Sequence, residues 1–206
     1  MQIAAFLVGL VVASGAQAAA TGAVHCNKLL DVRAGRMLTD QMVLFQNGVV
    51  TDSGPAGSMT VPAGATPLDI KATCLPGLID AHVHLTSDPS HAGYQGLGVS
   101  IPRETVIGVR NARITLRAGF TTVRNVGAPG FSDVALRDGI NAGDIDGPRM
   151  LVSGPPLGIT SGHADDNLLP YEYHDRMNIM TGLAAWRTGR GRPAPRCGKT
   201  SNMGQT

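Results

Sequence analysis

In the run Pro76-Gly77-Leu78-Ile79-Asp80-Ala81-His82-Val83-His84-Leu85, side chains bearing donor atoms alternate with apolar ones. Successive side chains of an extended strand point to opposite faces, so Asp80, His82 and His84 are expected on one face with the two imidazoles side by side. Neutral imidazole nitrogens are good ligands for zinc and similar divalent ions, and a rigid strand fixes their separation before an ion arrives. Asp80 has two readings: it orients a histidine by holding its tautomer, or it satisfies backbone N–H groups at the strand mouth. A His-x-His pair alone is a weak signal, because solvated and core-satisfied histidines share the pattern. The flanking residues give it weight.

Positioning such a pair requires a strand in a sheet, and the surrounding sequence has that grammar. Between residues 24 and 70, the short apolar stretches Leu29–Val32, Met42–Phe45 and Thr66–Ile70 are separated by Gly, Pro and Asn, which favours strands joined by tight turns. After Cys74 the pattern changes. Leu78–Leu85 reads as a strand, and Thr105–Ala118 as a helix with Val106, Val109 and Leu116 near helical spacing and Gly119 as its stop. Thr121–Val126 is a second strand rich in β-branched residues. Ser132 is expected to cap a short helix running to Asn141, and Arg149–Ser153 reads as a third strand after Pro148. Strand alternating with helix at these intervals implies right-handed crossovers and a parallel sheet.

These motifs together resemble the amidohydrolase superfamily, in particular its exported imidazolonepropionase-like and Xaa-Pro or Xaa-Arg dipeptidase branch. The resemblance rests on Leu75 to Leu85, on Leu116-Arg117-Ala118-Gly119-Phe120-Thr121-Thr122-Val123-Arg124-Asn125-Val126-Gly127, and on Gly147-Pro148-Arg149-Met150 leading to Gly158-Ile159-Thr160-Ser161-Gly162-His163. It extends over about Lys28 to Asp175, in family order. It implies an α/β fold: a (β/α)8 metal-dependent hydrolase barrel, incomplete here, preceded by part of a small β-sandwich. By the same resemblance His82 and His84 match the histidines of the first barrel strand, and the cofactor is a divalent metal, zinc, as one or two ions in the complete enzyme. The substrate implied is a small peptide or cyclic amide cleaved at a C–N bond. The family's remaining ligands, a carboxylated lysine, two further histidines and an aspartate, have no matching positions in this chain, so no catalytic residue is assigned. His163, in a glycine-containing loop after the third expected strand, is a substrate-side candidate, with a solvated loop histidine as the bland alternative. Arg124 near the end of the second strand either faces the site or pairs with a barrel carboxylate, with a structural role as the favoured reading; Asp88 and His91, in a loop with Pro89 and Gly93, either shape the pocket or are solvated loop residues, the default.

The ends of the chain have a different character. Ile3–Val12 is an apolar run of signal-peptide length followed by Ala16-Gln17-Ala18, a small-x-small cleavage pattern, although no Lys or Arg precedes it. A signal peptide over residues 1–18 and export to the periplasm or outside the cell are therefore expected. The run falls short of the ~20 residues that a spanning helix needs, so no stable membrane anchor is expected. An oxidising compartment allows disulfides; three cysteines cannot all pair internally, and Cys26 with Cys74 is a candidate pair that geometry must decide. From residue 176 onward there are six basic residues and no Asp or Glu, whereas residues 1–175 hold eleven basic and fifteen acidic ones. Two explanations stand: a disordered basic tail, or a frameshift near Met177 or Asn178. The second arises because codons for Arg196–Thr206 can be chosen so that a shifted frame reads Val-Arg-Gln-Asn-Ile-Lys-Tyr-Gly-Ala-Asp, which looks like the helix before the family's fourth strand.

The chain has 206 residues, is 43% hydrophobic and 16% charged, and carries a formal net charge of +2, an ordinary globular balance that gives no reason to expect nucleic-acid binding. A closed barrel alone takes ~250 residues. The expected organisation is a signal peptide over 1–18, a partial sandwich over 23–74, the opening strands and helices of a barrel over 75–177, and a frameshifted or disordered tail over 178–206. Two functions follow: the N-terminal part of an exported amidohydrolase, expected to be inactive as this chain, or a non-catalytic exported binding fragment whose basic tail engages an anionic partner.

Overall fold

The computed structural model describes residues 21–156 and residue 170, which fall into two compact units divided between Pro76 and Gly77. The segment expected to be a signal peptide, His163 and the basic tail lie outside the described residues. Among the described residues, no helix is long and apolar enough to cross a membrane.

The first unit is a four-stranded sheet built from β1 (Gly22–Asp31), β2 (Arg36–Gln46), β3 (Val49–Pro55) and β4 (Leu68–Cys74), in the order β3-β2-β1-β4. β1, β2 and β3 run antiparallel in sequence, and β4 returns parallel to β1. The turn between β2 and β3 is Asn47-Gly48, with φ of 55° and 74°. This left-handed pair matches the twist of the flanking strands, and it is the reason for Asn and Gly at those positions. Sequence patterning placed three strands here and missed β3, whose residues Val49–Asp52 are all exposed and carry no alternation of burial to read. Val32, expected at a strand end, lies in the turn before β2. The described residues of the first unit make a single sheet, so a second sandwich layer is not among them.

Cys26 in β1 and Cys74 at the end of β4 form a disulfide with their Cα atoms 5.8 Å apart, which answers the question that sequence left to geometry. Cross-linking across a separation of 48 residues lowers the entropy of the unfolded chain by an amount worth about 4 kcal/mol at room temperature.

The second unit alternates as the sequence pattern requires: β5 (Leu78–Val83), α1 (Ile101–Arg117), β6 (Phe120–Asn125), α2 (Ser132–Ala142) and β7 (Arg149–Val152). Its three strands are parallel, in the order β5-β6-β7. Helix α1 begins four residues earlier than periodicity indicates, because Ser100 accepts from the Arg103 N–H at 3.4 Å and Pro102 suits the first turn. Buried Leu85, Ala112, Val123, Leu136 and Met150 join the two helices to the sheet. In β7 the neighbouring Leu151 is 60% exposed while Met150 is 5% exposed, so the helices cover one face of that strand.

Helix α2 corrects one expectation. Its capping position is Phe131, held at φ 61°, with no side-chain cap bond. Ser132 lies inside the first turn, is buried, and donates from Oγ to Thr86 Oγ1 at 2.9 Å. A hydroxyl with a buried partner on the loop after β5 is better satisfied there than on the helix's own N–H groups.

Candidate metal centre

His82 is the penultimate residue of β5, and His84 follows the strand directly. Their ring centroids are 5.5 Å apart with planes inclined at 68°. The pleat does not enforce this by itself, since the pairing of β5 with β6 shifts register between Asp80 and Val83. The hydrogen bonds at the ends of the strands supply what simple alternation does not.

His84 Nδ1 lies 3.1 Å from the Gly127 carbonyl oxygen. A carbonyl only accepts, so Nδ1 carries the proton and donates, and in the neutral ring Nε2 keeps its lone pair for an incoming ion. Gly127 is buried, and a Cβ there would stand 3.4 Å from the His84 ring and from Pro156. The same carbonyl accepts from Asn125 Nδ2 at 3.1 Å.

Asn125, fully buried, ties the strand ends together. Its Oδ1 accepts from the Leu85 N–H at 2.7 Å, and its Nδ2 also donates to Asp133 Oδ2 at 3.2 Å. Asp133, also fully buried, takes the Gly154 N–H on Oδ2 at 3.1 Å and the Val134 N–H on Oδ1 at 2.9 Å. The segments that follow β5, β6 and β7 therefore share one buried polar network, and the carbonyl that orients His84 belongs to it. Sequence reading missed Asn125 and Asp133. The available signal was an amide at the buried phase of a strand, two residues after Val123, where a β-branched residue would otherwise be expected.

Asp80 Oδ1 accepts from the backbone N–H of His82 at 3.0 Å, so of its two readings the backbone one is realised in this bond. Among the described residues no hydrogen bond joins Asp80 to an imidazole. Arg124 donates from Nε to the Ala81 carbonyl at 2.6 Å, a structural bond between neighbouring strands. Asp88 is more engaged than a solvated loop residue: it accepts from the Ser90 N–H at 3.0 Å, from Ser90 Oγ at 2.7 Å and from Arg110 at 3.0 Å. The Ser90 bonds first, then Arg110, hold its carboxyl well below the usual carboxylate range. His91 Nδ1 and Glu104 Oε2 are buried with no hydrogen-bond partner among the described residues, and burial pushes the Glu104 carboxyl up.

The donor set fits part of a metal site. Two imidazoles stand together, one with its outer nitrogen fixed, but no cluster of three or more His, Cys, Asp or Glu side chains with metal-binding geometry occurs among the described residues. A hollow of about 650 Å³ lies within the first unit, lined mostly by apolar side chains such as Val24, Leu29 and Leu38, with Asp31, Arg33 and Gln41 also at its wall.

The profile of the amidohydrolase family matches residues 73–191, more than half of the chain. The chain belongs to the amidohydrolase family. Among solved structures, this amidohydrolase chain is similar to a Xaa-Pro dipeptidase with methionine bound in its active site, at 29% identity and a TM-score of 0.62, over 71% of this chain and 36% of that one. It is similar to a prolidase complexed with N-methylphosphonate-L-proline at 25% identity and a TM-score of 0.62, over 79% of this chain and 40% of that one. Aspergillus niger ochratoxinase shares the fold at 21% identity and a TM-score of 0.64, over 84% of this chain and 38% of that one. The chain thus spans between a third and two fifths of the length of these relatives. A search of curated proteins returned no match.

Proposed function

We propose that this amidohydrolase chain carries the first two metal ligands, His82 and His84, of an exported hydrolase that cleaves C–N bonds of dipeptides, with zinc as the ion. The observation that carries the proposal is the pairing of the two rings 5.5 Å apart at the end of β5, with His84 Nδ1 held by the Gly127 carbonyl. A bound divalent ion supplies hydroxide near neutral pH and polarises the scissile carbonyl.

The chain's own residues prepare for that. The Gly127 carbonyl selects the tautomer of His84, Asn125 holds that carbonyl and the Leu85 N–H, and Asp133 holds Asn125. With two donors among the described residues rather than the four of a typical structural zinc site, this chain by itself should hold zinc weakly and show little hydrolysis. The Cys26–Cys74 disulfide supports export, because such bonds persist in oxidising compartments. Similarity to a Xaa-Pro dipeptidase and a prolidase supports a dipeptide as the substrate.

Calorimetric titration of the full chain with zinc tests the proposal. The expected result is weak binding that His82→Asn and His84→Asn each reduce by about tenfold or more, in line with the loss of a donor from a sparse site. Binding equal to wild type in the double variant counts against it.

A further inference from the structure

One cluster of ionisable side chains stands apart from the histidine pair, in the first unit. His25 sits in β1, opposite Met42 of β2 and Asp69 of β4. Its Nε2 lies 2.8 Å from Asp40 Oδ1 and its Nδ1 lies 3.0 Å from Asp69 Oδ1. Both partners are carboxylates, which accept only. An imidazole that donates from both nitrogens carries both protons and is therefore a cation. Lys71 of β4 pairs with the other oxygen of Asp69. The charged groups facing the ring are thus Asp40 from β2 and Asp69, backed by Lys71, from β4.

Asp40 adds an independent sign of constraint. It is a non-glycine residue with φ of 53°, in the left-handed region where a side chain must be compensated locally. The bond to His25 provides such compensation and aims the Asp40 carboxylate across β1.

We infer that His25, Asp40 and Asp69 form a proton-operated clasp: the imidazolium ties β2 and β4 together across β1, and loss of one ring proton releases one arm. The bonds to Asp40 and then Asp69 raise the affinity of the ring for its proton above that of a free histidine, whose ordinary value is 6.5. The stabilisation is therefore fully present below pH 6.5 and is lost as pH rises through the higher midpoint of the folded state. In acid it fades for a second reason. The Asp69 carboxyl is held below 3.8, first by Lys71 and then by His25, so its contribution is present above 3.8 and is lost as pH falls through its lower folded value. With side chains of His25, Asp40 and Asp69 28%, 73% and 45% exposed, the clasp is also weakened by salt.

Nitrogen-detected NMR of the imidazoles in the full chain tests this, with His25→Gln identifying the resonances. The expected spectrum shows His25 with both ring nitrogens protonated below its titration midpoint, and that midpoint lies above 6.5 and drops in Asp40→Asn and again in Asp69→Asn. Asparagine tolerates the left-handed backbone at position 40, so Asp40→Asn removes the charge while keeping the backbone conformation of β2 there, and it keeps the test available if His25→Gln does not fold. Amide exchange in β1 and β4 should quicken as pH rises through that midpoint in wild type, beyond the intrinsic effect of base, and not in Asp40→Asn. A midpoint at or below 6.5, or one that only one of the two asparagine variants moves, overturns the clasp.

Discussion

At the scale of single residues, the account rests on side chains that fix other side chains. Asn125→Ala removes the acceptor of the buried Leu85 N–H and a donor to the Gly127 carbonyl, and it leaves Asp133 short of a partner. The expected loss is about 2–3 kcal/mol, the cost of leaving buried polar groups unpaired, measured by urea unfolding of the full chain. A loss near zero would mean that the network does not hold the strand ends. Asp88 behaves differently, since its carboxyl is depressed by Ser90 and Arg110. Its contribution to the loop after β5 is present above its ordinary value of 3.8 and disappears as pH falls through the lower folded value. Amide exchange at Ser90 and His91 should therefore stay slow down to pH 3.8 and quicken only in stronger acid, and Asp88→Asn should abolish that step. The proximity of the His82 and His84 rings was legible because they share a decapeptide. His25 was not, since its partners lie 15 and 44 residues away, and no local pattern announces a contact of that range.

At the scale of elements, local rules read the second unit well and failed where tertiary partners compete. Parallel strands alternating with helices were legible from β-branched runs, apolar spacing and Gly119; the start of α1 was missed because Ser100 and Pro102 precede the periodic residues. Ser132 shows the opposite failure, a residue of capping type drawn to Thr86 instead. The two serines should respond differently to substitution. Ser100→Ala should cost about 1 kcal/mol of stability as the loss of a cap, independent of Thr86. Ser132→Ala should cost about 1 kcal/mol through its hydrogen bond, and combining it with Thr86→Val should cost less than the sum of the two single changes. Additive costs in a double-mutant cycle of denaturant midpoints would place Ser132 back in the capping role. Leu136, fully buried between the helices and the sheet, sets the scale for the core: Leu136→Ala should cost about 2–5 kcal/mol in the same measurement.

At the scale of the whole molecule, each unit carries its own means of holding together. The first unit is a single sheet with a covalent tie between β1 and β4, and the second is a sheet covered by two helices. Sequence indicated the disulfide only as a candidate, because spacing along a chain does not determine the distance between strands. Reduction, or the Cys26→Ser and Cys74→Ser pair, should lower the stability of the first unit by about 4 kcal/mol, read as an earlier unfolding transition. The family was legible from the motifs around β5, β6 and β7, since those residues build the strand ends where a barrel enzyme does its chemistry. We propose that the end of β5 presents two imidazoles, those of His82 and His84, to one divalent ion. X-ray absorption of the zinc-loaded full chain tests it most directly: the account predicts imidazole nitrogens at about 2.0–2.1 Å in wild type and their loss in the His82→Asn, His84→Asn double variant. A first shell containing oxygen alone, or one unchanged by the double substitution, would contradict it.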